Sequence, residues 1–320
     1  MGIQGAGGEK LALPKKKLGP QDNWVVEKVG ELTEFRIAGV GAKITVVGPD
    51  STTYLQSQLS ADLVGLHPGS STWSLLLEPN GRLVATLEVH KLALDTFEIV
   101  TDARVSATVI ARLKMFLIRT KLSLSEPVLC DLVLGASGDD QDIDALIGKG
   151  NSWVETQGHT CSDVDIERWN AARARYFCPV VGVDLQEGSL PNVLGDLTRY
   201  ASFAKGCYTG QELVERVESR KAQAPKRLYP FANFTDAVQE GETLYGSGDK
   251  ALGSIAMVSA PLETLGSHFV TALGLPSEIQ DGSQLGFALL ARGNGPSDVN
   301  RIGDQANPRA ARLVEIVGAA

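Results

Sequence analysis

The residues with the clearest chemical potential lie together in the octapeptide Lys205–Glu212, which reads Lys-Gly-Cys-Tyr-Thr-Gly-Gln-Glu. It brings an amine, a thiol, a phenol, an amide and a carboxylate into one short segment. Thr209 and Glu212 have the spacing of a capping box before an amphipathic run, which predicts a helix that begins near Thr209. Cys207 would then lie close to the positive end of the helix dipole. That position and Lys205 would both favour the thiolate over the thiol.

The other residues of the octapeptide allow two interpretations. Gly206 and Gly210 would permit backbone conformations and a close ligand approach that side chains block. Gln211 supplies amide donors and acceptors, and Glu212 would serve the cap. The segment could equally be a tight turn into a helix with an incidental cysteine, because a free cysteine often behaves as a small apolar residue. No histidine is near in sequence, so the segment does not indicate a Cys–His nucleophile pair.

The composition is typical of a folded protein. The chain has 320 residues, of which 43% are hydrophobic and 21% are charged, and this length suits two or three subdomains. The formal net charge of -8 argues against a general nucleic-acid-binding protein. It leaves room for a local basic pocket that takes an anionic ligand.

The cysteines and histidines indicate neither a metal site nor a secreted scaffold. There are four of each, they are scattered, and no CxxC pair occurs. The basic run Lys15–Lys17 is not followed by an apolar stretch, and no segment is long and apolar enough to span a membrane. We therefore expect a cytoplasmic protein without membrane contact.

The elements that must position the octapeptide can be predicted from local patterns. A strand over 44–50 would enter a helix with Asp50 as its N-cap. The apolar runs 72–77 and 83–89 flank an Asn-Gly pair, which predicts a hairpin. Asp102 would cap one helix, and a second would run from Ser162 to Arg175.

Three regions follow from this pattern. Residues 1–30 are rich in Gly, Lys and Pro and predict a flexible N-terminal extension. Residues 31–224 predict an α+β region that ends in the octapeptide, with a loop or short surface helix over 135–150. After Pro225 come short apolar runs separated by Gly, Pro, Asp and Ser, so 225–320 predict a small antiparallel barrel or sandwich.

The octapeptide resembles the signature of the YgfZ family, the folate-binding relatives of the glycine-cleavage T-protein (an aminomethyltransferase) that assist iron–sulfur enzymes. Further segments are similar to that family in the expected order, over roughly residues 35–295. They are 47–50 with 54–59, the hairpin 77–82, Arg173 or Arg175 with 182–184, Pro191, 252–254 and 287–289. Glu78 and Asn80 stand where Asp and Lys are usual, and 135–160 cannot be aligned.

The resemblance implies an α+β, three-lobed T-protein-like fold around a folate-sized channel. In it, two intertwined lobes in 31–224 bind folate and a C-terminal antiparallel β-barrel closes the channel. It implies tetrahydrofolate as the cofactor and iron–sulfur client enzymes as partners, with tRNA-modifying enzymes as candidates. Direct nucleic-acid or membrane contact is not implied.

The resemblance also assigns roles to residues. Cys207 and Lys205 become the reactive pair, within a motif that includes Gly206, Tyr208, Gly210, Gln211 and Glu212. Folate contacts are expected from Arg82, Arg173, Asp184 and Tyr208, with Arg175 and Lys205 as further candidates for the glutamate tail. The aromatic candidates for stacking on a pterin are Trp73, Trp169 and Tyr208.

Two other functions stay open beside the accessory role. A folate-dependent aminomethyltransferase or demethylase would need a carboxylate in the hairpin, and residues 81–86 contain none. Glu78 and Glu88 flank that segment, but the sequence does not say which way they face. A binding module without chemistry is the third possibility, in which the octapeptide would be structural.

Overall fold

The computed structural model describes residues 27–29, 32–136, 153–156, 160–247, 250–275, 279, 282–304 and 308–316. Most of the predicted extension 1–30 and most of the predicted loop or helix 135–150 lie outside these residues. The last residues of the extension, Glu27–Val29, form a short strand.

The first sheet contains eight strands, and every pairing in it is antiparallel. Six of them follow the order β3-β4-β5-β2-β7-β8, while β1 and β6 pair with β2. The strands are β1 Glu27–Val29, β2 Leu32–Val47, β3 Ser70–Leu77, β4 Leu83–Ala93, β5 Thr96–Asp102, β6 Ser123–Leu124, β7 Val128–Ala136 and β8 Trp153–Glu155. The long strand β2 is therefore the centre of the sheet.

The predicted hairpin is confirmed as β3 and β4. Its turn spans 78–82, and Gly81 has a φ of 82°, which favours glycine. Asp50 is the N-cap residue of helix α1 (Ser51–Gln58), as predicted, but its side chain makes no cap hydrogen bond. Its carboxylate instead accepts a hydrogen bond from the backbone N–H of Lys121, at 2.6 Å.

The first sheet has one apolar and one polar face, because side chains alternate along each strand. The apolar face of β4 carries Ala85, Leu87 and Val89, which belong to a core cluster with residues of α1 and of helix α2, Ser106–Met115. Asp102 accepts from the N–H of Arg104 and caps a single 3₁₀ turn, Ala103–Val105, that leads into α2.

The opposite face of β4 carries Thr86, Glu88 and His90. The register places Trp73 and Ser71 of β3, and Val100 and Glu98 of β5, beside Glu88 and His90 on this same side. Lys43 of β2 is paired with Val100 and joins them. We call Lys43, Ser71, Trp73, Glu88, His90 and Glu98 the polar face.

The predicted helix from Ser162 is confirmed as α3, Asp163–Tyr176. Ser162 and Asp165 form a reciprocal capping box, and Phe177 ends the helix at a φ of 49°. Residues of α3 lie in one core cluster with residues of both sheets, so this helix packs between them. A 3₁₀ turn, Pro191–Leu194, and helix α4, Gln211–Ser219, follow along the chain.

The second sheet begins at Lys226, beside the boundary predicted at Pro225. Its order is β14-β13-β10-β11-β12-β9-β15, again antiparallel. The strands are β9 Lys226–Asn233, β10 Thr243–Tyr245, β11 Ala251–Val258, β12 Gln284–Ala291, β13 Arg301–Gly303, β14 Arg309–Ala310 and β15 Leu313–Glu315, with a short helix α5, Ser267–Ala272. Within the described residues the edge strands β14 and β15 do not pair with each other, so the predicted barrel is supported only in part.

Candidate functional site

The octapeptide is a loop that leads into α4, and the helix begins later than predicted. The N-cap is Gly210, with a φ of 81°, and it makes no side-chain cap bond. The predicted capping box is wrong. The hydroxyl of Thr209 donates to the carbonyl oxygen of Ser57, and Glu212 forms an ion pair with Arg216 one turn along α4.

The glycine at the helix start is explained by a tertiary contact. A Cβ on Gly210 would lie 2.6 Å from the carbonyl oxygen of Glu78 and 2.9 Å from the Cα of Gly81. The loop therefore packs backbone to backbone against the hairpin turn between β3 and β4. Gly206 is different, because a Cβ there would meet nothing within 4 Å.

Lys205 holds the loop against the end of α1. Its ammonium donates to the carbonyl oxygens of Gln56, Leu59 and Ala61, at 2.7 Å in each case. These carbonyls lie at or just beyond the C-terminal end of α1, where helix carbonyls lack partners within the helix and a cation is favoured. Burial lowers the pKa of Lys205 to about 8, against the opposing charge of Asp62.

This geometry gives Lys205 a role that the sequence did not predict. A lysine ammonium has three N–H donors, and all three are directed at these carbonyl oxygens. The side chain is therefore engaged in anchoring the loop to α1. Activation of Cys207 by the charge of Lys205 stays a prediction.

Cys207 and Tyr208 lie in opposite environments. Cys207 is exposed to solvent. Tyr208 is 7% exposed and belongs to the central core cluster, with the Lys205 ammonium 5.0 Å from its ring centre. Burial raises the pKa of Tyr208 to about 12, and its hydroxyl is buried without a hydrogen-bond partner.

The three other cysteines have raised thiol pKa values. Burial raises the pKa of Cys130 and of Cys178 to about 12 in each case. Cys161 is exposed like Cys207, but burial of its sulfur and the nearby carboxylate of Asp165 raise its pKa to about 11. A high pKa keeps a thiol in its unreactive form at neutral pH. Cys130, Cys161 and Cys178 are thus poor nucleophiles.

A buried carboxylate lies on the polar face of the first sheet. Glu88 is 1% exposed and accepts hydrogen bonds from the indole Nε1 of Trp153, at 2.9 Å, and from the hydroxyl of Ser71, at 3.1 Å. The Nε2 atom of His90 lies 3.4 Å from its Oε1 but has no hydrogen-bond partner. A buried acid beside an unpartnered imidazole nitrogen is a feature of binding and catalytic sites.

From the sequence alone, the face of the strand on which the Glu88 side chain lies stayed open, and His90 was not predicted as a site residue. The signal was present as an alternation in β4, where Thr86, Glu88 and His90 are polar and the residues between them are apolar. Glu78 has a different position. It lies in the hairpin turn, outside the strand.

A second buried carboxylate, Asp102, stands at the end of β5 next to α3. It accepts from the indole Nε1 of Trp169 at 2.7 Å and forms an ion pair with Arg104. Burial opposes its ionisation, but the hydrogen bond and charge of Arg104 outweigh burial and lower the pKa of Asp102. Trp169 also packs edge-on against Trp153, with ring centres 5.6 Å apart. The indole N–H of Trp169 is therefore already used in a hydrogen bond.

Several known proteins are similar to this chain. No protein-family model matches the chain. The tRNA-modifying protein YgfZ of Aliivibrio fischeri is 22% identical over 244 residues, which cover 66% of this chain and 76% of that protein. The tRNA-modifying protein YgfZ of Edwardsiella ictaluri is 30% identical over 216 residues, covering 56% of this chain and 65% of that protein.

The chain is thus similar to proteins of the YgfZ family, at 22–30% identity. Its fold is that of aminomethyltransferase T of the glycine cleavage system from Bartonella henselae, with a TM-score of 0.61. The likeness covers 89% of this chain and 85% of that one at 13% sequence identity, so it shows the fold alone. The resemblance of the chain to the YgfZ family, noted from its sequence, is thereby confirmed.

The arginines predicted to contact folate lie in different settings in this YgfZ relative. Arg173 has no exposed surface and forms a buried ion pair with Asp184, while its Nη2 donates to the side-chain oxygen of Asn170 at 2.7 Å. Arg173 and Asp184 are paired mainly with each other, and the Nε of Arg173 and the Oδ1 of Asp184 are buried without partners. Arg82 is exposed and donates to the carbonyl oxygen of Gly188 at 2.6 Å.

Arg173 and Arg175 of α3 both retain unused donors, one (Nε) on Arg173 and two on the partly exposed Arg175. The Nη2 of Arg175 donates to the carbonyl oxygen of Gly274 at 3.3 Å, but its Nε and Nη1 are buried without partners. Buried donors of this kind are rare unless a ligand or water satisfies them. Arg175 therefore fits an anionic group better than Arg173 does.

In the part that the structure describes, no group of three or more His, Cys, Asp or Glu side chains is placed to hold a metal ion. No helix there has the length and apolar character needed to cross a membrane.

Proposed function

We propose that the protein binds tetrahydrofolate and acts as an accessory factor in the assembly or repair of iron–sulfur enzymes. The relatives named YgfZ are called tRNA-modifying proteins, and enzymes that modify tRNA are the clients that we propose first. The observation that carries the proposal is the octapeptide itself. It is anchored from within by Lys205 and presents the thiol of Cys207 to solvent.

The residues that would hold folate are those of the polar face and its neighbours. A pterin ring offers paired N–H donors, and the buried carboxylate of Glu88 is a matching acceptor. Trp73 is half-buried beside it, with the guanidinium of Arg199 5.2 Å from its ring centre, and offers an aromatic surface. The unpartnered donors of Arg175 suit a carboxylate of the glutamate tail. The phenol of Tyr208 has a free hydrogen-bonding group as well.

A contact with an iron–sulfur cluster would have to be shared. One thiolate cannot hold a cluster, which needs several ligands. We therefore place Cys207 at a surface where a client enzyme supplies the remaining ligands. Because Cys207 is exposed and Gly206 leaves open space beside the chain, a second protein can approach the thiol closely.

Folate binding is tested by calorimetric titration of the full-length protein with tetrahydrofolate under reducing conditions. We expect saturable binding with one site. Absence of binding at about 1 mM tetrahydrofolate, an affinity weaker than about -4 kcal/mol, would reject the folate proposal.

The accessory role is tested by assaying client iron–sulfur enzymes in cells that carry Cys207→Ala. We expect client activity to fall while the amount of folded protein stays unchanged. Cys161→Ala is the matched control, since Cys161 is also exposed but its thiol pKa is about 11. Full client activity in the Cys207→Ala strain would remove Cys207 from the function.

Glu88 favours a second candidate function, folate-dependent transfer of a one-carbon unit. Residues 81–86 contain no carboxylate, but Glu88 lies just beyond them on the polar face of β4, 1% exposed and beside the imidazole of His90. A buried acid and base of this kind could handle a proton on a reacting amine. The test is incubation with tetrahydrofolate and an aminomethyl donor, followed by detection of ammonia and 5,10-methylenetetrahydrofolate. Turnover that Glu88→Gln abolishes would support this candidate, and no turnover would reject it.

A further inference from the structure

A groove lies at the far end of α4 from the octapeptide. It has a volume of about 560 Å³ and opens where the end of α4 meets the start of β9, the end of β12 and the loop after the 3₁₀ turn Pro191–Leu194. This volume is within the range of small-molecule sites. Nothing in the proposed folate or client role uses it.

The groove is locally basic in an acidic protein. Its lining contains three cationic side chains, Lys221, Arg227 and Arg292, against two carboxylates, Asp196 and Glu218. The chain as a whole carries a formal charge of -8. An excess of positive charge at one concave site therefore favours an anionic ligand.

The two carboxylates are already engaged. Asp196 accepts hydrogen bonds from the backbone N–H of Thr198, at 2.9 Å, and from its hydroxyl, at 2.8 Å. Glu218 forms an ion pair with Lys221. Within the described residues, Arg227 and Arg292 form no ion pair with a carboxylate, although the charge of Arg227 is among the causes that lower the pKa of Asp196, after the hydrogen bonds from Thr198.

Arg227 is held in position without a polar partner. Its guanidinium lies 5.1 Å from the ring centre of Tyr229 on one side. On the other side it packs against the backbone of Gly195, where an added Cβ would lie 2.7 Å from Nη2. Among the described residues, none forms a hydrogen bond or ion pair with this guanidinium, so its N–H donors are preorganised and free.

Two more groups complete the site. Arg292 uses its Nε to donate to the side-chain oxygen of Gln223 at 3.1 Å, and within the described chain its two Nη groups have no partner. Asn192 donates from Nδ2 to the carbonyl oxygen of Ala222 at 2.7 Å, but its Oδ1 is buried without a partner. Free donors and one unused acceptor line the same groove. A matching ligand would carry an anion and a hydrogen-bond donor.

We propose that this groove is a binding site for a small phosphate monoester, with the phosphate between Arg227 and Arg292 and a donor of the ligand on Asn192. Two guanidinium groups suit a dianion, and a planar guanidinium can grip a phosphate through two parallel N–H donors. The volume leaves room for a group of about nucleoside size beyond the phosphate.

The test is calorimetric titration of the full-length protein at low salt with adenosine monophosphate and, separately, with inorganic phosphate. We expect adenosine monophosphate to bind with a dissociation constant below about 1 mM. Arg227→Gln should weaken binding at least about tenfold, which corresponds to loss of one charge-assisted contact. If Arg227→Gln fails to fold, Arg292→Gln gives the same test.

The matched control is Lys226→Gln, which removes one positive charge from the neighbouring residue of β9, outside the groove lining. We expect it to change binding by less than about twofold. Equal weakening by both variants would show non-specific attraction and overturn the proposal. No binding at about 5 mM ligand, or succinate binding as tightly as adenosine monophosphate, would also overturn it.

The outcome is independent of the folate site. The titration contains no tetrahydrofolate, and Glu88→Gln should leave adenosine monophosphate binding unchanged because Glu88 is not among the groove residues. Phosphate that binds within about threefold of adenosine monophosphate would show that the anion alone is recognised, and this outcome supports the proposal.

Discussion

In the octapeptide, the thiol of Cys207 is exposed and the supporting contacts come from backbone carbonyls beneath the loop. On the polar face of the first sheet, the carboxylate of Glu88 is 1% exposed and is held by an indole and a hydroxyl. The two regions are joined, because Gly210 packs against Gly81 in the turn between the strands that carry the polar face.

This difference in exposure suits two different tasks, contact with a second protein and binding of a small ligand. A group meant for a second protein must be accessible, and a group meant to orient a small ligand gains strength from burial and fixed hydrogen bonds. We therefore propose that the interior binds the ligand and that the loop contacts the partner. Substitutions in the interior should lower the unfolding free energy. In the loop, substitutions of anchoring residues should lower it, whereas substitutions of exposed groups should not.

The largest effect is expected from Arg173→Met in the interior. It leaves the carboxylate of Asp184 buried without its charge partner, which costs about 3–5 kcal/mol of unfolding free energy. Chemical denaturation measures it. Arg216→Met in α4 removes a more exposed ion pair and should change stability by less than about 1 kcal/mol. An equal loss of unfolding free energy in the two variants would contradict the proposed difference between the interior and the exposed segment.

Lys205→Met tests whether the lysine is an anchor. It leaves three carbonyl oxygens at the end of α1 without their donor, which we expect to lower the unfolding free energy by up to about 3 kcal/mol. The measurement is the shift in denaturation midpoint. An unchanged midpoint with lost client activity would return Lys205 to a chemical role beside Cys207.

The two glycines of the octapeptide sharpen the same comparison. Gly210→Ala places a Cβ at a φ of 81° and 2.6 Å from the oxygen of Glu78, so we expect a loss of about 2 kcal/mol in thermal unfolding experiments. Gly206→Ala meets no atom within 4 Å and should leave stability nearly unchanged. Should Gly206→Ala still reduce client activity, close approach of a partner would be the cause.

The titration of Lys205 gives a smaller effect with a definite sign. Its pKa is lowered by burial to about 8 in the folded protein, below the ordinary lysine value of about 10.4. Between these two values the folded state binds fewer protons than the unfolded chain, so this group makes stability rise with pH across that window. Nuclear magnetic resonance of the labelled lysine measures the midpoint. A midpoint near 10.4 would mean that the side chain is not buried.

Local patterns predicted those elements whose ends are set by local chemistry. The Asn-Gly hairpin and the helix that begins after Ser162 appear as expected, and a capping box of Ser162 with Asp165 fixes the start of that helix. The capping box at Thr209 failed because a tertiary contact decided the helix start. Gly210 must approach Gly81, and the hydroxyl of Thr209 is taken by Ser57.

The buried polar face could be predicted only in part. The sequence shows that Glu88 alternates with apolar residues, but strand β4 is buried on both faces from Leu83 to Lys91. Which face is the core and which is the site depends on where α1, α2 and α3 pack, and that information is not local. The buried pairing of Arg173 with Asp184 was hidden for the same reason.

The most direct test of the account is the affinity for tetrahydrofolate of Glu88→Gln compared with that of Cys207→Ala, each measured by calorimetry against the unaltered protein. If the polar face binds folate and the octapeptide presents a thiol to a partner, Glu88→Gln weakens binding at least about tenfold and Cys207→Ala leaves it within about twofold. Loss of binding in Cys207→Ala with normal binding in Glu88→Gln would contradict the account.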